Sequence, residues 1–116
     1  MIQEGQVVLF RFPQTNLQTG KLRPALVIRQ CLSQYDDWLI CMISSQTAQI
    51  TSDIDELIKP EDTDFSLSGL KKPSVIRSAR LAVIQGEILL GTIGSIRNQR
   101  LERIRSNLAK WILGHS

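Results

Sequence analysis

The hydrophobic period of this chain changes once, near its end, and that change limits the folds open to it. Leu101, Ile104, Leu108, Trp111 and Ile112 recur at spacings of three and four, which places them on one stripe of an amphipathic helix. Asn98 is a candidate N-cap and Gly114 a candidate for the residue just past the last turn. Trp111 reads as core by its spacing, and the basic residues Arg100, Arg103, Arg105 and Lys110 read as a solvated face. Everything before the helix is short apolar runs broken by turn residues. At 116 residues there is room for one domain, with enough chain to bury a core without disulfides or a structural metal.

The runs read as strands. Residues 6–12 alternate, with Val8, Phe10 and Phe12 on one face and Val7, Leu9 and Arg11 on the other, and Pro13 ends them. Residues 13–22 form a polar loop. Residues 25–29 and 38–43 are apolar strands separated by a turn region. Residues 53–59 read as a strand alternating Ile54 with acids or as a short helical turn, the strand being preferred, and Asp53, Asp55 and Glu56 as solvated. Residues 60–72 are a connection with Pro60, Asp62 and Gly69 as breakers. Residues 74–77 and 80–84 form two adjoining strand segments or one bent strand, and 88–93 a final strand weakened by Gly91. Many short strands and one packing helix predict a mainly β, α+β domain, a strongly bent sheet or half-open small barrel.

Chemistry is constrained by what is missing. His115 is the single histidine, so a two-histidine ribonuclease mechanism is excluded, and neither a nucleophilic triad nor a metal-ligand cluster is in view. No phosphate-binding glycine loop occurs. Cys31 and Cys41 are too far apart for a CxxC motif, and Cys41 lies in an apolar run that suits a reduced, buried thiol. The N-terminus lacks the pattern of a signal peptide and no apolar run approaches a membrane span, so a cytoplasmic location is expected. A formal net charge of +3 favours acidic partners, nucleic acid first. With aromatics at 5%, arginine and lysine rather than base stacking would carry such binding.

The stretch GKLRPALVI at 20–28 then stands out. Pro24 biases Arg23 toward an extended conformation at the mouth of an apolar strand, where its guanidinium can meet an anion with little loss of side-chain freedom. Taken alone, the same geometry suits a surface ion pair. With ISSQ at 43–46, the run Lys72-Pro73-Ser74-Val75-Ile76-Arg77, the opening Gly5 to Pro13 and the terminal helix, the order of motifs resembles the MazF/PemK family of toxin endoribonucleases.

That resemblance implies an SH3-like barrel, a homodimer, a cognate antitoxin, DNA binding by the toxin–antitoxin complex, and cleavage of single-stranded RNA with no metal or other cofactor. Carried onto this sequence, it implies Arg23 as the catalytic arginine on the scissile phosphate and Ser44 in the place of a threonine hydroxyl. It implies Arg77 as a second arginine, followed two residues later by Ala79 where some members have an aspartate base. Lys21 and Arg11 would hold neighbouring phosphates, and Ser45 and Gln46 would line the RNA path; a one-residue offset would exchange Ser44 and Ser45. Two other functions remain open: a gyrase poison of the same fold acting through Trp111-Ile112-Leu113-Gly114, and a non-catalytic RNA-binding barrel.

Overall fold

The structure, a computed structural model, describes residues 2–11, 22–51 and 53–114. Six antiparallel strands form one sheet in the order β4-β5-β3-β2-β1-β6. They are β1 (Gln6–Arg11), β2 (Leu22–Gln30), β3 (Asp37–Ser44), β4 (Glu56–Ile58), β5 (Ser74–Gln85) and β6 (Thr92–Ser95). A short helix α1 (Phe65–Ser68) follows β4, and the long helix α2 (Asn98–Leu113) closes the chain.

The alternation expected in β1 sorts its side chains between two cores. Val7 joins Leu26, Ile28, Cys41, Ile43 and Ile76 under Leu101, Ile104 and Leu108 of α2. Val8 and Phe10 join Ala25, Val27, Trp38, Ile40 and Leu89 on the other face. An antiparallel sheet with apolar side chains on both faces must curl or be covered, and this one does both. β2 carries an extra residue opposite β3 between Val27 and Arg29, and β5 carries three, Ser78 to Arg80, between the pairs Met42↔Arg77 and Cys41↔Leu81. Such bulges bend the strand and add twist. α1 then packs on the far edge strand: a Cβ at Gly69 would meet the Ile93 carbonyl, and one at Gly94 would meet backbone atoms of Leu67 and Ser68. The result is a half-barrel closed by a turn of helix.

Several expectations shift. Strand two starts at Leu22, and its ladder to β3 begins at Ala25, the residue after Pro24, which has no N–H to offer. The adjoining segments from 74 to 84 are one bent strand. Within 53–59 both readings hold in part: the Ile54 and Asp55 amides bond to the Thr51 carbonyl as a turn, and only Glu56 to Ile58 pair with β5. The connection 60–72 contains α1, ended by Gly69 at φ 75°. The last strand lies at 92–95 rather than 88–93, because Gly86–Ile88 forms a 3-10 turn and Leu90 and Gly91 bond to Leu9 first. α2 starts at Asn98 with Arg97 as its cap, and Gly114 follows it at φ 79° as expected.

Two corrections concern the helix itself. Trp111 is 54% exposed, with Ile112 and Leu113 more so, because the last turn runs past the buried stripe. The basic face is not simply solvated. Arg100 is buried, Arg103 pairs with Glu56, and Arg105 donates to the Ile28 carbonyl and to Glu4. The acids at 55 and 56 are engaged as well, since Asp55 accepts the Thr51 amide and Glu56 meets both arginines.

A candidate phosphate-binding face

β3 is the regular strand at the centre of the site, and its even residues from Trp38 to Ser44 share one face. Their partners are fixed by register. Met42 stands between Ala25 of β2 and Arg77 of β5. Ser44 pairs with Val75, and continuing the β2–β3 register by two residues brings Arg23 opposite Ser44. Phe10 pairs with Arg23 from the other side. Two rows therefore cross the sheet on one face: Phe10, Arg23, Ser44, Val75, and beside it Val8, Ala25, Met42, Arg77.

Directly opposed residues in such a ladder lie about 4.5–5.5 Å apart, and diagonal ones about 7–8 Å. Both separations are within reach of an arginine side chain. Arg23 and Arg77 thus start from the two strands on either side of Ser44, on the same face. Phe10, Val8, Ala25 and Val75 are buried and form the floor, and Arg23 and Arg77 are half-buried. No carboxylate stands in either row. Among the described residues Arg23 makes no ion pair. Arg23, half-buried and without an ion pair among the described residues, leaves a positive charge beside buried apolar side chains, where an anion is held more strongly than in open water.

Ser44 sits at the last position of β3, where the chain turns away. Its Oγ accepts the Gln46 amide at 3.1 Å, so the strand-end turn fixes the hydroxyl and its hydrogen is left to donate. The three-residue bulge of β5 begins just after Arg77, and bulges of this kind re-aim the side chains next to them.

The remaining expected residues divide. Ser45 and Gln46 are exposed just past the tip of β3. Arg11 ends β1 but pairs with Leu22, so its side chain starts from the opposite face to Phe10. Ala79 lies in the bulge and is exposed. Lys21 lies outside the described residues, as do most of the 13–22 loop and His115. Sequence reading overlooked Met42 and the Gln46 amide. The period of two in β3 could have flagged Met42, which shares a face with Ser44.

Comparison with known proteins agrees with this architecture. The profile of the family described as PemK-like, MazF-like toxin of type II toxin-antitoxin system matches residues 3–112. An endoribonuclease from a mycobacterial species, solved in complex with its cognate antitoxin, superposes with a TM-score of 0.71 at 13% identity, covering 97% of this chain and 95% of that one. The Mycobacterium tuberculosis toxin MazF-mt6 superposes with a TM-score of 0.66 at 12% identity, covering 96% and 98%. No curated protein matches the chain significantly. At such identities the two structures speak for the fold alone, a mainly β half-barrel with a C-terminal helix. The profile, matching nearly the whole length, speaks for descent. This chain belongs to the PemK-like, MazF-like family of type II toxin–antitoxin toxins.

Proposed function

We propose that the chain is an endoribonuclease that cleaves single-stranded RNA by internal transesterification, with Arg23, Ser44 and Arg77 as its catalytic residues. What supports this reading is strand register, which sets Arg77 diagonal to Ser44 and, when the β2–β3 ladder is continued by two residues, Arg23 opposite it, with no carboxylate in either row. The 2′-oxygen forms a bond to the neighbouring phosphorus, the bond to the 5′-oxygen breaks, and the leaving oxygen takes up a proton. The products are a 2′,3′-cyclic phosphate and a 5′-hydroxyl end. DNA lacks the nucleophile and is not cut.

Arg23 and Arg77 stabilise the extra charge on the pentacovalent phosphorus, and Ser44 donates its hydroxyl hydrogen to a non-bridging oxygen. With Ala79 in the bulge and no side-chain base in either row, solvent accepts the 2′ proton, and charge stabilisation supplies most of the acceleration. Arg11, Lys21, Ser45 and Gln46 position the flanking strand. Arginine delivers the positive charge, so the step as drawn needs no metal or cofactor. The toxin acts in the cytoplasm as a homodimer, and an antitoxin neutralises it; a neighbour of the same fold was solved with its cognate antitoxin.

The test is incubation with a long single-stranded RNA in EDTA, followed by mapping of the cut ends. Cyclic-phosphate ends are expected from the native protein. Arg23→Ala should lower the rate by about 10³-fold or more while urea unfolding is unchanged. Cleavage at the native rate by that variant would remove the assignment.

One observation favours a second reading. Trp111, Ile112 and Leu113 are exposed, which suits a toxin that grips gyrase through its C-terminal end. Incubating the protein with gyrase and plasmid DNA separates the two, since only a poison traps cleaved plasmid.

A further inference from the structure

Most of the positive charge on the C-terminal helix is balanced within the fold. Arg100, Arg103 and Arg105 of α2 are all held by carboxylates. Lys71 and Lys72 are exposed, and neither has an ion pair among the described residues. They precede Ser74, the first residue of β5, which pairs with Ile58; the next residue, Val75, pairs with Ser44. The two lysines therefore stand just past the strand tips that carry Ser44 and Arg23. From Val75 to Lys72 the chain spans at most about 10 Å.

The loop that shows them is fastened on both sides. Buried Ser68 accepts the Leu70 amide on its Oγ at 3.1 Å, and buried Ser74 donates its Oγ hydrogen to the Lys72 carbonyl at 2.8 Å. Leu70 packs on the core, and Pro73 fixes its own φ. A fastened backbone keeps both ammonium groups within side-chain reach of one place. Lys59, beside them at the end of β4, is within 4.0 Å of Glu61 and contributes less.

We propose that Lys71 and Lys72 form a second phosphate site, which holds the RNA strand one or more nucleotides beyond the phosphodiester gripped by Arg23, Ser44 and Arg77. This rests on the endoribonuclease reading and adds the direction of the substrate, from the tip of β2 across β3 toward the start of β5. The contact is to backbone phosphate. It tightens binding of long strands equally for every sequence and leaves the bond-breaking step alone.

The experiment measures binding of a non-cleavable 2′-O-methyl single-stranded RNA against salt, with cleavage of a dinucleotide and of a long RNA in parallel. Each phosphate contact contributes about 0.7 to the slope of log K against log salt for single strands, so the double variant K71A/K72A should lower the slope by about 1.4. It should raise KM for the long RNA and leave dinucleotide cleavage unchanged. Lys110→Ala, an exposed cation on α2, should leave the slope as it is. If native protein binds and cleaves while K71A/K72A keeps the native slope, the second site is overturned and the endoribonuclease stands. If native protein neither binds nor cleaves RNA, both fall together.

Discussion

Arg100 and Asp64 meet through two parallel hydrogen bonds, Nε to Oδ2 at 2.8 Å and Nη2 to Oδ1 at 3.0 Å, inside the angle between α2 and the segment that follows β4. The same guanidinium reaches Glu56 at 3.0 Å, Asp62 at 3.2 Å and the Leu57 carbonyl at 3.1 Å. All five of its N–H groups have partners close by. The pair ties the first turn of the long helix to the edge strand and to the turn of helix that closes the barrel. Truncating one member of a buried pair strands the other without water or counter-charge. Arg100→Ala should therefore cost about 3–5 kcal/mol. Arg103→Ala, whose side chain is half exposed, should cost under about 1 kcal/mol. Urea midpoints of the two variants test this, and equal losses would refute the distinction.

Acid should loosen the same clamp. Burial pushes the Asp64 carboxyl up, but hydrogen bonds and charge from Arg100, with the Arg97 amide, outweigh it and hold the group below its ordinary 3.8. Glu4 behaves alike: burial raises it, and the Gln30 amide with Arg105 and Arg29 brings it below 4.5. A carboxyl that binds its proton less tightly when folded contributes fully above the unfolded value and loses that contribution as pH falls through the folded one. Stability from these groups should be level from neutral pH down to about 5 and decline below about 4. Asp64→Asn should flatten that acid limb, whereas parallel curves for variant and native protein would contradict the linkage.

Gly69 ends α1 at φ 75°, and a Cβ there would run into the Ile93 carbonyl of β6. Gly69→Ala should cost about 1–3 kcal/mol through the combined strain and collision. Gly91→Ala is the comparison: its φ of 138° is also one that side chains rarely adopt, but a Cβ meets nothing within 4 Å. The Gly69 variant should unfold at lower urea than the Gly91 variant. The reverse order would mean that α1 does not close against β6.

The two thiols should differ sharply. Cys41 is fully buried, and burial pushes its thiol well above the ordinary range, with Asp55 adding to the effect. Cys31 is half-buried at the end of β2 and unpaired by any disulfide. Native protein should give one equivalent of rapid thiol labelling at Cys31, and urea should release the second. Prompt labelling of both would place Cys41 outside the core.

Much of the fold was legible before any coordinates. Val7 and Val8 go to opposite cores as alternation requires, and Leu101, Ile104 and Leu108 form the buried stripe of α2. The candidate site was legible in part. Arg23 announces itself through Pro24, and Ser44 through the abrupt polar turn after an apolar strand. Their adjacency depends on strand register, which no single segment encodes, and the bulge after Arg77 shifts that register by three residues. Arg11 shows the limit, since it ends a strand beside the site yet starts from its other face.

Period, capping and turn chemistry are local properties of a few neighbouring residues, so the chain alone determined a run of short strands, a closing helix that stops at Gly114, and an arginine mounted at a strand mouth. Charge partnership is not local. A helical wheel puts Arg100 on a polar face, but Asp64, 36 residues earlier, folds back to bury it. Trp111 fits the apolar stripe, yet it lies past Leu108, the last buried residue of that stripe, and meets water. Only the tertiary structure decided which cations are spent within the fold and which are left at one end of the sheet, because that depends on where distant segments cross.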